Sequence, residues 1–165
     1  MSEKLQISFE SVLNAAAKAP LVRIDRAEFL RKQLSGRVSP EMVNKAVARG
    51  PIAAGVPLDI IDKLAIGSID FETTKVTAIS AAAGLPGGAA IAATIPADLA
   101  QFYAHVLRIA QKLAYLYGWD ELFSENGMDD GMEQTLTLFI GVMSGVQMAN
   151  AALNKIAANA APKIG

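Results

Sequence analysis

The clearest hydrophobic pattern in the chain runs through residues 96–118, PADLAQFYAHVLRIAQKLAYLYG. When this segment is wound as a helix, its polar side chains fall within about 140° of the circumference, and the remainder is apolar. This polar stripe consists of Asp98, Gln101, His105, Arg108, Gln111 and Lys112. The pattern predicts an amphipathic helix that is buried over most of its surface.

Capping signals divide the first half of the chain into helices. Ser39-Pro40 is typical of an N-cap followed by proline at the first helical position. Pro57 can open a further helix, which we expect Gly67-Ser68 to interrupt. Asp70 then caps the next helix in this interpretation.

Similar signals mark the second half. Thr94 is a candidate N-cap with Pro96 in the first turn, and Gly118 is the expected stop of that helix. Asp130 and Glu133 have the spacing of a capping box for a last long helix. Strand signals are weak throughout, so the helical pattern dominates the whole chain.

These patterns predict an all-α fold. We expect a single compact helical domain over residues 1–165, with about six or seven helices. Residues 1–50 form its basic N-terminal helices and residues 51–165 its helical core. Hydrophobic residues make up 52% of the chain and aromatic residues only 6%, which favours helices that pack closely. Cysteine is absent, which excludes disulfides and thiol chemistry.

An apolar stretch, ISAAAGLPGGAAIAATIPADL, covers residues 79–99. Proline and two glycines break it near the middle, and each half of about ten residues is too short to cross a bilayer. We therefore expect a helical hairpin. Its first helix ends at Gly84, and the chain reverses direction within residues 84–88. Its tip, Leu85, Pro86 and Gly87, is a candidate contact for a membrane or a partner.

A second uncharged run, residues 134–154, has a polar stripe when it is wound as a helix. Gly141, Gly145 and Ala149 form a seam of small residues along it. Such a seam lets two helices approach closely, either within one bundle or between two copies of the chain. Packing within one bundle and formation of a homo-oligomer therefore both stay open.

The charge is unevenly distributed. Net charge is −1, which argues against general nucleic-acid binding. Residues 18–49 nevertheless hold eight basic and three acidic side chains, a local charge of +5. Two interpretations stay open: a solvated helical face, or a surface that docks on an anionic membrane or an acidic partner. The docking candidates are Arg23, Arg26, Arg31 and Lys32.

The polar stripe also has two interpretations. In the first it faces solvent, with Asp98 favourably placed near a helix N-terminus. In the second Asp98, Gln101, His105 and Arg108 line a groove for an anionic or phosphate-bearing ligand. His105 is the single histidine, and no nucleophile accompanies it at helical spacing. We therefore assign no catalytic residue, no metal site and no cofactor.

Several of these segments resemble the EcsC family of bacterial proteins. The similarity is carried by GLPGG at residues 84–88, PAD at 96–98, RIA at 108–110 and YG at 117–118, and extends over most of the chain from about Arg31. The family is named for a protein encoded beside an ABC exporter, and it has no defined activity from which catalytic residues could be transferred. Its members continue with a further helical segment, so the resemblance implies a short or truncated member.

Three functional hypotheses follow. The first is a non-enzymatic helical protein that acts at a membrane surface or on an exporter-type membrane protein, cytoplasmic and peripheral on the inner face. The second is a small-molecule or anion-binding protein, or an enzyme, that uses Asp98, His105 and Arg108. The third is a structural homo-oligomer built on the small-residue seam.

Overall fold

The protein is all-α in the part that the structure, a computed structural model, describes. That part comprises residues 16–17, 22–83, 88–123, 134–136 and 138–139, with the backbone alone for 76–83 and 88–100. Its four long helices are α1 (Arg26–Leu34), α2 (Pro40–Arg49), α3 (Leu58–Ala83) and α4 (Gly88–Leu116).

The chain divides into two compact units, Met1–Leu122 and Phe123–Gly165, and each is described by itself. All four helices belong to the first unit. In the second, the described residues are Phe123 and a helical stretch at 134–136 and 138–139, where Leu136 is fully buried. The single domain over 1–165 stays a prediction.

Local capping explains where the first helices begin. The Asp25 carboxylate accepts the backbone N–H of Glu28 at 2.7 Å, which satisfies a donor at the start of α1. The Ser39 hydroxyl accepts the N–H of Met42 at 3.2 Å, and Pro40 is the first residue of α2. The N-cap predicted from Ser39-Pro40 is confirmed, and α3 begins directly after Pro57 as expected.

The predicted interruption of α3 is wrong. The helix continues through Gly67-Ser68, and Asp70 lies in its interior instead of at a cap. A helical glycine costs only about 1 kcal/mol relative to alanine. One continuous buried face outweighs that cost, because burial of its apolar side chains, Ile61, Leu64 and Ala65, contributes more. That face consists of Ile61, Leu64, Ala65, Ser68 and Glu72.

The start of α4 also differs from the prediction. The helix begins at Gly88 rather than at Thr94, and Pro96 lies inside it. The alanine-rich residues 88–93 favour helix, which offsets the lost N–H of the proline. The predicted stop is confirmed: Gly118 has φ +98°, and the N–H of Trp119 donates to the carbonyl of Ala114 at 2.9 Å.

The helical hairpin is confirmed in outline. α3 and α4 pack against each other. Asp62 accepts a hydrogen bond from Tyr117, and Glu72, later in α3, accepts one from Arg108, earlier in the chain, so the two helices run antiparallel. Their lengths of 26 and 29 residues exceed the ten-residue arms expected from the sequence. The turn between them lies outside the described residues. Among those described, no helix has both the length and the apolar character needed to cross a bilayer.

The residue after α2 packs against the turn that follows α4. Gly50 has φ +89° and ψ 150°, a region that is nearly restricted to glycine. A Cβ added to it would lie 3.0 Å from the Cα of Gly118. This close approach of two backbones joins the ends of α2 and α4.

Gly50→Ala is therefore expected to lower the free energy of unfolding by about 2 kcal/mol, from backbone strain together with the new contact. Gly36→Ala is the matched control, because Gly36 also has a positive φ (+75°) but has no atom within 4 Å of an added Cβ. Thermal unfolding of both variants measures the difference. Equal destabilisation would show that the contact with Gly118 contributes nothing.

Candidate functional site

Three basic side chains of α4 surround one carboxylate of α3. Glu72 Oε2 lies 2.6 Å from His105 Nδ1, and Glu72 Oε1 accepts from Arg108 Nε at 3.0 Å and from Lys112 Nζ at 2.6 Å. The Glu72 side chain is fully buried, and that of Lys112 is nearly so. We call these four residues the Glu72 cluster. It joins the two arms of the hairpin through charge-assisted hydrogen bonds.

Helical spacing accounts for the three donors. His105, Arg108 and Lys112 are three and four residues apart, so α4 presents them on one face. Of the residues predicted to bind a ligand, the structure thus brings His105 and Arg108 together, while Gln101 is exposed. Asp98 is described in its backbone alone, and it lies well inside α4, so the expected position near a helix N-terminus is wrong.

The donors keep Glu72 ionised. Burial alone would raise the pKa of its carboxyl. The hydrogen bonds from Lys112 and His105, together with the charges of Lys112 and Arg108, outweigh burial and lower that pKa to about 2. Burial lowers the pKa of Lys112, and the Glu72 carboxylate opposes this shift. Two cations, Arg108 and Lys112, thus face one carboxylate, and the cluster carries a net positive charge at neutral pH.

Gln111, another member of the polar stripe, has a structural role. Its side chain is fully buried. The amide oxygen accepts the N–H of Ile24 at 2.9 Å, and the amide nitrogen donates to the carbonyls of Val22 and Leu107 at 2.8 and 3.1 Å. Gln111 thus holds the segment before α1 against α4.

A cleft of about 610 Å³ lies between α1 and the hairpin. Seven basic side chains and two carboxylates line it, so the formal charge of the lining is +5. The basic residues are Arg23, Lys32, Arg37, Lys63, Lys75, Arg108 and Lys112. We call this the basic cleft. One of its carboxylates, Asp25, already accepts the N-cap hydrogen bond of α1.

The floor of the basic cleft is apolar. Ile24, Phe29 and Leu64 line it and are buried. Phe71 also lines it and is 52% exposed, with the ammonium groups of Lys75 and Lys112 lying 4.4 and 4.8 Å from its ring centroid. These distances are typical of cation–π contacts. The cleft therefore combines an apolar base with cations along its walls.

Two of the predicted docking residues line the basic cleft. Arg23 and Lys32 are exposed there, whereas Arg31 is exposed on another side of α1. The remaining predicted contact and seam residues lie outside the described part of the chain. They are Leu85, Pro86, Gly87, Gly141, Gly145 and Ala149.

Arg26, the other predicted docking residue, contacts the protein itself. Its guanidinium donates to the carbonyl of Val47 at 2.7 Å and to that of Trp119 at 2.8 Å. These bonds connect α1 to the ends of α2 and α4. Arg26 therefore has a structural role within the first unit.

The contributions of α3 to the site were not predicted from the sequence. Glu72, Lys63, Lys75 and Phe71 were not among the candidates. A signal was present: in an unbroken helix Ser68, Glu72 and Lys75 share one face at spacings of four and three. The predicted break at Gly67-Ser68 concealed this pattern. Within the described residues, no group of three or more ligating side chains could hold a metal ion.

Comparisons of the chain with protein-family models, with curated proteins and with solved structures found no significant match. The similarity to the EcsC family therefore stays an interpretation of the sequence motifs, and the functional argument rests on the Glu72 cluster and the basic cleft.

Proposed function

We propose that the first unit is a ligand-binding helical domain whose basic cleft binds a small anion that carries phosphate. The observation that carries this proposal is the charge of the cleft, seven basic side chains against two carboxylates. The site differs from the predicted one. It shares Arg108 and Lys112 with the polar stripe and adds basic residues from α1, from the segments that flank α1 and from α3.

The Glu72 cluster supports the proposal because it orders part of the cleft in advance. Arg108 and Lys112 line the cleft while Glu72 holds them at 3.0 and 2.6 Å. Long basic side chains normally lose conformational entropy when a ligand immobilises them. For Arg108 and Lys112, much of this conformational entropy is already lost when the protein folds, so less is lost on binding.

The lining of the cleft favours binding over catalysis. Ser68 supplies its one side-chain hydroxyl, and His105 is not part of the lining. Arginine and lysine recognise phosphate through charge and hydrogen bonds without any chemical step. We therefore assign a binding function rather than a reaction.

A peripheral membrane role is the second candidate. The exposure of Phe71 beside Lys75 favours it. Anionic headgroups attract basic residues, and aromatic rings are frequent at the interface between a bilayer and water. This candidate keeps the same basic cleft and differs in the source of the phosphate.

The test is calorimetric titration of the full chain with inorganic pyrophosphate at low ionic strength. Lys63→Gln is expected to weaken binding at least severalfold, because a positive charge that attracts the multiply charged anion is removed from the cleft. Lys45→Gln is the matched control: both lysines are exposed and pair with an acid four residues earlier, but Lys45 lies outside the cleft.

Binding is also expected to weaken as salt is added, because exposed charges are screened. Absence of binding to every phosphate-bearing anion tested at low ionic strength, pyrophosphate included, would refute the proposed function. An equal effect of the two lysine substitutions would show that general charge, rather than the basic cleft, attracts the anion.

A further inference from the structure

We infer that the ligand of the basic cleft is amphipathic: its anionic group contacts the basic walls, and an apolar chain or ring packs on Phe71. This inference rests on the proposed function and adds the chemical class of the ligand. It predicts an alkyl or aryl phosphate in preference to a compact inorganic anion.

The exposure of Phe71 favours such a ligand. The other apolar lining residues, Ile24, Phe29 and Leu64, are at most 8% exposed, whereas Phe71 is 52% exposed. Its ring therefore offers apolar surface that a ligand can still remove from water. A purely ionic ligand would leave this surface exposed.

Two cations lie beside the Phe71 ring. The ammonium groups of Lys75 and Lys112 lie 4.4 and 4.8 Å from its centroid. Glu72 Oε1 fixes Lys112 at 2.6 Å, so one cation beside the ring has a defined position. A phosphate bound by these lysines would place its ester substituent close to Phe71.

The size of the cleft also favours an amphipathic ligand. A volume of about 610 Å³ lies within the range of 300–1,000 Å³ that is typical of sites for drug-sized ligands. A single phosphate group fills a small part of such a cleft. The remaining space has room for a hydrocarbon substituent, and Phe71 is the apolar lining residue that still offers it exposed surface.

The experiment compares ethyl, butyl and hexyl phosphate, which have the same charged group and differ only in the length of the alkyl chain. The affinity of the full chain is expected to rise about two- to fourfold per methylene, the upper value corresponding to complete burial. Phe71→Ala is expected to flatten this rise and to weaken hexyl phosphate binding more than pyrophosphate binding, because pyrophosphate has no apolar part to pack on the ring. Phe71→Leu, which keeps an apolar side chain, should retain part of the rise.

Phe102→Ala is the matched control. Phe102 is 47% exposed, close to the value for Phe71, but it lies on α4 outside the cleft and packs edge-on against Tyr103. This variant should keep the full dependence on chain length. Thermal unfolding of the three variants verifies that each one is folded.

A second experiment, with lipid vesicles, distinguishes a membrane lipid from a soluble amphiphile as the ligand. Flotation with phosphatidic acid vesicles, with loss of binding in Phe71→Ala but not in Phe102→Ala, would support the inference with a lipid as the ligand. Binding of hexyl phosphate without vesicle binding would support it with a soluble amphiphile.

If the affinity does not rise with the length of the alkyl chain while pyrophosphate still binds, the inference is overturned and the proposed function stays intact. Loss of the chain-length dependence in Phe102→Ala as well would also overturn it, because the contact would not be specific to Phe71. Absence of binding to every anion would refute both the inference and the proposed function.

Discussion

Glu72→Gln is expected to lower the free energy of unfolding by about 3–5 kcal/mol, the largest effect that we predict for this protein. The substitution removes the negative charge that His105, Arg108 and Lys112 share, and it leaves the positive charges of Arg108 and Lys112 close together. Lys112 is buried and would lose its ion pair. Glutamine keeps the size of the side chain, so lost packing contributes little. Chemical denaturation monitored by circular dichroism measures the difference.

Glu41→Gln is the matched control for this change. Glu41 also pairs with a lysine, Lys45 at 2.8 Å, but both side chains are more than half exposed. Exposed ion pairs of this kind contribute only about 0.3–0.5 kcal/mol. If the two variants lose similar stability, the Glu72 cluster does not hold the hairpin together.

The same cluster predicts how stability depends on pH. The pKa of Glu72 is about 2 in the folded protein and 4.5 when the carboxyl is unperturbed. Its contribution is therefore complete above about pH 4.5 and is lost as the pH falls from 4.5 towards 2. The difference in stability between wild type and Glu72→Gln should narrow over this interval. A constant difference down to pH 3 would contradict the lowered pKa.

Gln111→Met is expected to cost about 2–4 kcal/mol, the second largest effect. Methionine fills a similar volume, but it cannot replace the hydrogen bonds to the N–H of Ile24 and the carbonyl of Val22. Both residues are buried, so these groups would lose their partner without gaining water. Because the segment before α1 is held by these bonds, the amide of Ile24 should also exchange its hydrogen faster.

Gln101→Met provides the control on the same helix, since Gln101 is exposed and its substitution should change stability by less than about 0.5 kcal/mol. Amide hydrogen exchange of both variants separates the local effect from the global one. Unchanged protection of Ile24 in Gln111→Met would show that other contacts hold the segment.

Features that depend on neighbours in the chain were predictable. The all-α class, the N-cap at Ser39, the start of α3 after Pro57 and the stop at Gly118 all follow from side chains within one or two helical turns. The same is true of the alignment of His105 with Arg108, because helical spacing alone puts them on one face.

Local signals failed where burial decided the outcome. Gly67-Ser68 and Pro96 resemble helix boundaries, yet α3 and α4 continue through both. The penalty of such residues is a few kcal/mol at most. The face buried when α3 packs against α4 contributes more, and its extent is not encoded in any short segment.

The sequence by itself determined the helical class, the helix ends at Ser39 and Gly118 and the polar stripe of α4, because these depend on contacts close in the chain. Only the tertiary structure decided what the stripe faces. Glu72 lies 33 residues before His105, and the hairpin brings the two side chains to 2.6 Å. The basic cleft likewise collects cations from three helices. Its charge and its apolar floor exist only because packing joins segments that are distant in the chain.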